Sequence, residues 1–253
     1  MLLKSKKKIA LITGSSRGIG FAIAKLLDEK GIRVFLNSRS KINRKLLEGF
    51  NNSPEHLKFD ITQTKKLEVN FKKIKKKYGE LEYLICNVGF SSSPKNKQFD
   101  INEWKLIFER NFFSTLNTIF LFRKIFNNTK IKKKIICISS VSGTYVSAAP
   151  TTYAIAKAAL NNFVRHASKL LTKENIVINC VAPGNIYFKG GVWDKNLKKN
   201  KSYYKKYINS EVPEKRLGKP DEVAELVSYL CSDRSTFING SVISIDGGQN
   251  KSL

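Results

Sequence analysis

The stretch Ile9-Ala10-Leu11-Ile12-Thr13-Gly14-Ser15-Ser16-Arg17-Gly18-Ile19-Gly20 decides the fold. An apolar, β-branched run ends in a polar turn carrying three glycines, and a helical stretch near 18–30 follows. A turn this tight between strand and helix needs residues without a β-carbon. It also lets backbone N–H groups and the positive end of the helix approach a pyrophosphate. Glycines alone make simple turns in many proteins, but here strand, turn and helix come in the order that dinucleotide binding requires. Gly14, Ser16, Arg17, Gly18, Ile19 and Gly20 are therefore candidate cofactor-binding residues.

Working outward, short apolar runs alternate with helical stretches to the end of the chain. The predicted strands are Ile9–Thr13, Ile32–Asn37, His56–Asp60, Tyr83–Asn87, Lys134–Ser139, Ile176–Ala182 and Val242–Asp246. Helices are predicted near 18–30, 40–49, 63–78, 101–128, 151–173 and 219–232. This alternation implies a parallel sheet with helices on both faces, and near-continuous apolar strands suit a sheet covered on both sides. Two segments break the pattern, at 89–99 and 184–217. Both follow strand C-termini, where ligand crevices of open α/β sheets lie, so both are expected to be loops that contact substrate. No linker or repeat divides the 253 residues, and a single domain is expected.

Composition excludes several classes. No stretch reaches the roughly 18–20 apolar residues that span a bilayer. The N-terminal Met1-Leu-Leu-Lys-Ser-Lys-Lys-Lys has charge but no apolar core behind it, so it does not read as a signal peptide. Cys86, Cys137, Cys180 and Cys231 are far apart and form no CxxC, which points to inert buried thiols and a cytoplasmic setting. The formal net charge of +26 invites a nucleic-acid partner. However, the lysines are spread over the chain (Lys6–Lys8, Lys72–Lys77, Lys132–Lys134, Lys195–Lys206) and read mostly as solvated helix faces. No aromatic residues interleave with them as a strand-binding groove would need. A nucleic-acid or membrane partner is not expected.

The chemistry is expected on the helix near 151–173. Tyr153 and Lys157 stand at i and i+4 and share one face. A phenol with an ordinary pKa of about 10 is a poor base at neutral pH, and a neighbouring ammonium favours the phenolate. Ser140 lies thirteen residues before Tyr153, just past a predicted strand, with Ser139 as the alternative serine. At the other end of the site, the second strand closes Leu36-Asn37-Ser38-Arg39 with no acidic residue. An acid there would hydrogen-bond ribose hydroxyls and repel a 2′-phosphate, whereas Arg39 and Arg17 can pair with one.

Thr13-Gly14-x3-Gly18-x-Gly20 resembles the T-G-x3-G-x-G fingerprint of the short-chain dehydrogenase/reductase family. The resemblance runs along essentially the whole chain. Asn87-Val88-Gly89 resembles the family's N-A-G, with Cys86 where another Asn is usual. Arg216-Leu217-Gly218-Lys219-Pro220-Asp221-Glu222-Val223-Ala224 and Asp246-Gly247-Gly248 resemble its later segments.

The resemblance implies a three-layer, doubly wound Rossmann fold with strand order 3-2-1-4-5-6-7, and an NADP(H)-dependent oxidoreductase acting on a carbonyl or secondary alcohol. It implies a catalytic set of Ser140, Tyr153, Lys157 and Asn111. Ser140 binds the substrate oxygen and Tyr153 transfers the proton. Lys157 lowers the Tyr153 pKa and holds the nicotinamide ribose, and Asn111, within the long helix after Trp104, positions a water next to Lys157. It further implies cofactor contacts at Asp60 and Ile61 (adenine), at Asn87 and Gly89, at Tyr153 and Lys157, and at Pro183, Gly184 and Ile186. The family's Thr four or five residues after Pro-Gly is missing from Asn185-Ile186-Tyr187-Phe188.

The closest general resemblance is to 3-oxoacyl-(acyl carrier protein) reductases, which implies a small-molecule or carrier-bound substrate and a homotetramer or homodimer. A sugar or nucleotide-sugar oxidoreductase of surface-polysaccharide synthesis is the enzymatic alternative. An NADP-sensing binding protein is the non-enzymatic one, disfavoured because such members lose the Tyr or the Lys.

Overall fold

The computed structural model describes residues 7–91, 97 and 99–250. Within them, β1 (Ile9–Ile12), β2 (Arg33–Ser38), β3 (Glu55–Lys58), β4 (Tyr83–Cys86), β5 (Lys133–Ile138), β6 (Ile176–Pro183) and β7 (Val242–Ile245) form one sheet. Their order is β3-β2-β1-β4-β5-β6-β7 and every pairing is parallel, as expected. Sheet order reverses between β1 and β4, which opens the crevice above their C-terminal ends.

Side chains alternate between two cores because strand residues alternate between faces. On one face Leu11, Leu84, Ile135 and Ile178 pack beneath α3 (Thr64–Tyr78), α5 (Ser114–Ile125) and α6 (Thr151–Leu171). Leu67, Phe71, Phe122 and Val164 meet them with helical spacing. On the other face Ala10, Ile12, Val34 and Ile136 pack beneath α1 (Gly18–Glu29) and α9 (Pro220–Cys231). Cys86, Cys137 and Cys180 stand in register on β4, β5 and β6, and all four cysteines are free and buried.

Three expectations need correction. The helix expected over 101–128 is broken: α4 (Ile101–Phe108) and α5 are joined by a π-turn at Glu109–Phe113. The segment 184–217, expected to be loop, holds α7 (Val192–Lys199) and α8 (Lys201–Glu211). Lys133 and Lys134 are buried rather than solvated. Lys134 donates to the Leu230 carbonyl (3.1 Å) and the Ser235 hydroxyl (3.0 Å), and so supports the C-terminal end of α9. Lys133 pairs with buried Glu80 at 3.3 Å. Most of the 89–99 segment lies outside the described residues. The remaining helix, α2 (Arg44–Leu47), is a single turn. Among the described residues, no helix is long and apolar enough to cross a membrane.

Candidate active site

The cofactor end is built at the tops of β1 and β4. Thr13 Oγ1 accepts the backbone N–H groups of Asn87 (2.9 Å) and Val88 (3.3 Å), which ties the two strand ends together. Asn87 Nδ2 donates to the carbonyls of Thr13 and Gly14, both at 3.0 Å. That packing leaves no room for a side chain at Gly20, where a Cβ would lie 2.7 Å from the Gly14 carbonyl oxygen. Gly18 adopts φ +59°, which a larger residue rarely takes up. Helix α1 then starts with no side-chain cap and no acidic residue in its first turn. Its free N–H groups and positive dipole end are left for an anion, so these residues fit a pyrophosphate.

The adenosine end lies above β2 and β3. Ser15 and Asn37 are structural: the Ser15 hydroxyl accepts the Asn37 N–H at 3.0 Å, and Asn37 Nδ2 donates to the Leu57 and Phe59 carbonyls at 3.1 Å. Arg39 is exposed and stands 3.9 Å from Asp60. Asp60 Oδ1 accepts from the N–H and hydroxyl of Thr62, which leaves its second oxygen facing Arg39. Arg17 turns the other way and donates to the Gly190 carbonyl at 3.2 Å. Ile61 is buried in the core beside α3. Pro183 ends β6, the Gly184 N–H bonds the Ile245 carbonyl at 3.0 Å, and Ile186 bridges to Gly218.

The chemistry end gathers residues from three elements. Ser140 caps the short 3₁₀ turn Val141–Gly143 after β5, accepting the Ser142 N–H at 3.2 Å. Its hydroxyl meets the Tyr153 phenol. Ser139 points the opposite way and donates to the Lys157 carbonyl at 3.4 Å. Alternation at the end of β5 thus separates the two serines in favour of Ser140. Gly143 brings this turn against α6, where a Cβ would lie 2.7 Å from the Lys157 carbonyl carbon.

Lys157 is 2 % exposed and its Nζ donates to the Ile138 carbonyl at 2.9 Å. Nζ stands 5.7 Å from the Tyr153 ring centre. Burial lowers the Lys157 pKa to about 8, with the thiols of Cys180, Cys137 and Cys86 pulling it back up. Burial also raises the Tyr153 phenol above its ordinary value, opposed by the Ser140 hydroxyl.

Asn111 is fully buried in the π-turn. Its Oδ1 accepts the Phe90 N–H at 2.9 Å, and its Nδ2 donates to the Phe90 and Ile107 carbonyls. A Cβ on Gly89 would lie 3.4 Å from Lys157 Nζ and 3.5 Å from Asn111 Oδ1, so both side chains converge on that glycine. π-turns inside helices are frequent at functional sites, and this one turns Asn111 toward the β4 end. Sequence reasoning missed Thr13 and also Phe188, whose ring atoms lie 2.8–2.9 Å from where a Cβ of Gly18 would be. Thr13 stood in the quoted turn, but its tie to β4 depends on which strands are neighbours.

A family model described as enoyl-(acyl carrier protein) reductase matches residues 14–250. The chain is 31 % identical over 246 residues to a 3-oxoacyl-(acyl carrier protein) reductase of Escherichia coli, covering 95 % of this chain and 96 % of that one. The corresponding reductase of Thermotoga maritima is 29 % identical over 253 residues, covering 97 % and 99 %. Among solved structures, L-sorbose reductase from Gluconobacter frateurii complexed with NADPH and L-sorbose superposes with a TM-score of 0.89 at 26 % identity, covering 98 % of both chains. Similarity that begins in the glycine turn and persists to the C-terminal Asp-Gly-Gly, on a sheet of this strand order, means that the chain belongs to the short-chain dehydrogenase/reductase family of nicotinamide-dependent oxidoreductases.

Proposed function

We propose that the chain is an NADP(H)-dependent oxidoreductase that interconverts a carbonyl and a secondary alcohol, with 3-oxoacyl thioesters as its substrate class. The observation that carries this reading is the convergence of Ser140, Tyr153, Lys157 and Asn111 above the ends of β4 and β5. The relatives support it: several are named as 3-oxoacyl-(acyl carrier protein) reductases, and solved neighbours are described with NADPH. Arg39, with no acid at the end of β2, supports the phosphorylated dinucleotide.

A bound nicotinamide supplies or takes up the hydride. The chain's residues handle the rest. Ser140 donates a hydrogen bond to the substrate oxygen. In reduction Tyr153 Oη gives its proton to that oxygen as charge develops there, and in oxidation it takes the proton back. A phenol raised by burial remains protonated at neutral pH, which suits the reductive direction. The Lys157 ammonium offsets negative charge left on Tyr153 Oη and holds the nicotinamide ribose. Asn111 Oδ1 and Lys157 Nζ, both against Gly89, place a water that returns a proton from solvent. Asp60, Ile61, Asn87, Pro183, Gly184 and Ile186 line the dinucleotide's path along the strand ends.

We read residues 1–253 as one domain, cytoplasmic on the strength of its four free thiols. A homo-oligomer through α5 and α6 is supported by exposed Phe120, Ile155 and Leu170. A lysine-rich surface suits a substrate carried on an acidic protein. The likeness to L-sorbose reductase favours a second reading, a ketose or other sugar as substrate.

NADPH oxidation measured against 3-oxoacyl thioesters, ketoses and simple ketones separates these readings. Turnover of thioesters above the others is expected. Tyr153→Phe should abolish turnover with every substrate and leave NADPH binding intact; near-normal activity in that variant would rule out Tyr153 as the proton donor.

A further inference from the structure

The parallel topology brings the C-terminal ends of α1 and α9 to the edge of the sheet opposite the glycine turn. Between them and the start of β4 lies a cavity of about 310 Å³, the size of a small-molecule site. Its base is apolar: Tyr83 and Cys231 are buried there, with Ile32 and Tyr229 beside them. Ser228 lines it as well. That residue is 6 % exposed, and among the described residues its hydroxyl has no hydrogen-bond partner. A buried hydroxyl left unpaired is costly, so it marks a place that a ligand's polar group can fill.

Three cations stand around the mouth. Lys8 Nζ meets the Tyr83 hydroxyl and lies 3.5 Å from Asp233, and Lys30 lies 3.9 Å from Glu225. The Arg234 guanidinium lies over the Tyr229 ring at 5.5 Å and makes no ion pair among the described residues. Two acids against three cations leave a positive excess. The end of α9 does not cancel it, because Lys134 already donates to the Leu230 carbonyl from beneath. An apolar base under a cationic rim suits a ligand with a flat apolar body and one anionic end. We propose that this cavity binds a small aromatic carboxylate, separately from the catalytic site. Its ring would pack on Tyr83, Ile32 and Tyr229, and its carboxylate would meet Lys8 and Arg234, with the Ser228 hydroxyl as a further donor. A bare inorganic anion leaves the apolar base unfilled, and a neutral ring leaves the surplus charge unanswered. The length of β4 separates Tyr83 from Asn87 and Gly89, so an occupant does not compete with a dinucleotide.

The test is lysine acetylation of the full-length protein by a trace of acetic anhydride, read peptide by peptide in a mass spectrometer, with benzoate as the probe. Labelling of Lys8 and Lys30 should fall several-fold at saturating benzoate, while Lys25, exposed on α1, labels as before. Protection should be the same with NADPH present. Benzamide, of the same shape without the charge, and inorganic phosphate, charged without a ring, should protect poorly. Arg234→Ala should weaken benzoate binding by about tenfold, the loss of one charge-assisted hydrogen bond. Ser228→Phe fills the base of the cavity and should abolish protection; Arg234 is exposed, so its variant decides the matter if Ser228→Phe does not fold. No protection by benzoate, equal protection by benzamide or by phosphate, unchanged affinity in Arg234→Ala, protection that survives in folded Ser228→Phe, or protection that NADPH removes would each overturn the site.

Discussion

Lys157 is an ammonium buried among a carbonyl and three thiols, and its charge is what the proposed chemistry needs. Its folded pKa of about 8 lies below the ordinary lysine value of 10.5. Between those values the unfolded chain holds more protons than the folded one, so stability rises with pH across that window. Below about pH 8 the cost of the buried charge is fully present. Lys157→Met should therefore raise the melting temperature relative to wild type at pH 7, and the gain should shrink as pH climbs toward 10. Thermal melts across that range check it, and a gain that grows with pH would contradict the burial argument.

Arg39 carries the second prediction at this scale. On the proposed pairing of Arg39 with the 2′-phosphate, Arg39→Asp removes a charge-assisted partner and sets a second carboxylate beside Asp60. Losing one such bond costs about 1.5–3 kcal/mol, so NADPH binding should weaken by roughly ten- to a hundredfold while NADH binding holds or improves. Titration with both cofactors decides it. Both residues stood out in the sequence by position and charge. That Lys157 bonds Ile138, and that Arg17 turns away to Gly190, depends on segments far apart in the chain.

Among elements, the strands and long helices were legible because their apolar period is strong. Helices α7 and α8 were not. Their sequence is rich in Lys, Asn and Tyr, short and weakly periodic, and short helices gain most of their stability from tertiary contacts. Here Trp193 stacks on Tyr207 and meets Tyr204 edge-on at 5.9 Å, a pairing across the turn between the helices. The break at Glu109–Phe113 was equally hidden, since one extra residue in a helix leaves no compositional mark. Lys134 illustrates the same limit: a lysine at a strand start reads as solvated, yet its three donors serve the end of α9. Lys134→Met should cost about 1–3 kcal/mol, the penalty for leaving buried acceptors unpaired. Urea unfolding at pH 7 measures this, and a neutral outcome would show that the α9 end closes on its own.

For the whole molecule, the charge of +26 is distributed over a surface with few acids, and the exposed apolar side chains are scattered, with Phe120 on α5 and Ile155 and Leu170 on α6 among them. Phe120 is 53 % exposed beside Phe163, at 6.3 Å between ring centres. If these helices join copies of the chain, Phe120→Glu should shift the particle to a smaller size in light scattering after gel filtration. An unchanged mass would move the interface elsewhere.

The sequence by itself determined the layered fold and the glycine turn, which rest on local period and residue chemistry, and through its family resemblance the set Asn111, Ser140, Tyr153 and Lys157. Only the tertiary structure decided that Ser140 rather than Ser139 meets Tyr153, that burial raises the phenol and lowers the lysine, and that Phe188 covers Gly18. The physical reason is common to all three. Side-chain direction, desolvation and close packing are set by neighbours brought in from distant parts of the chain, and no window of sequence contains them.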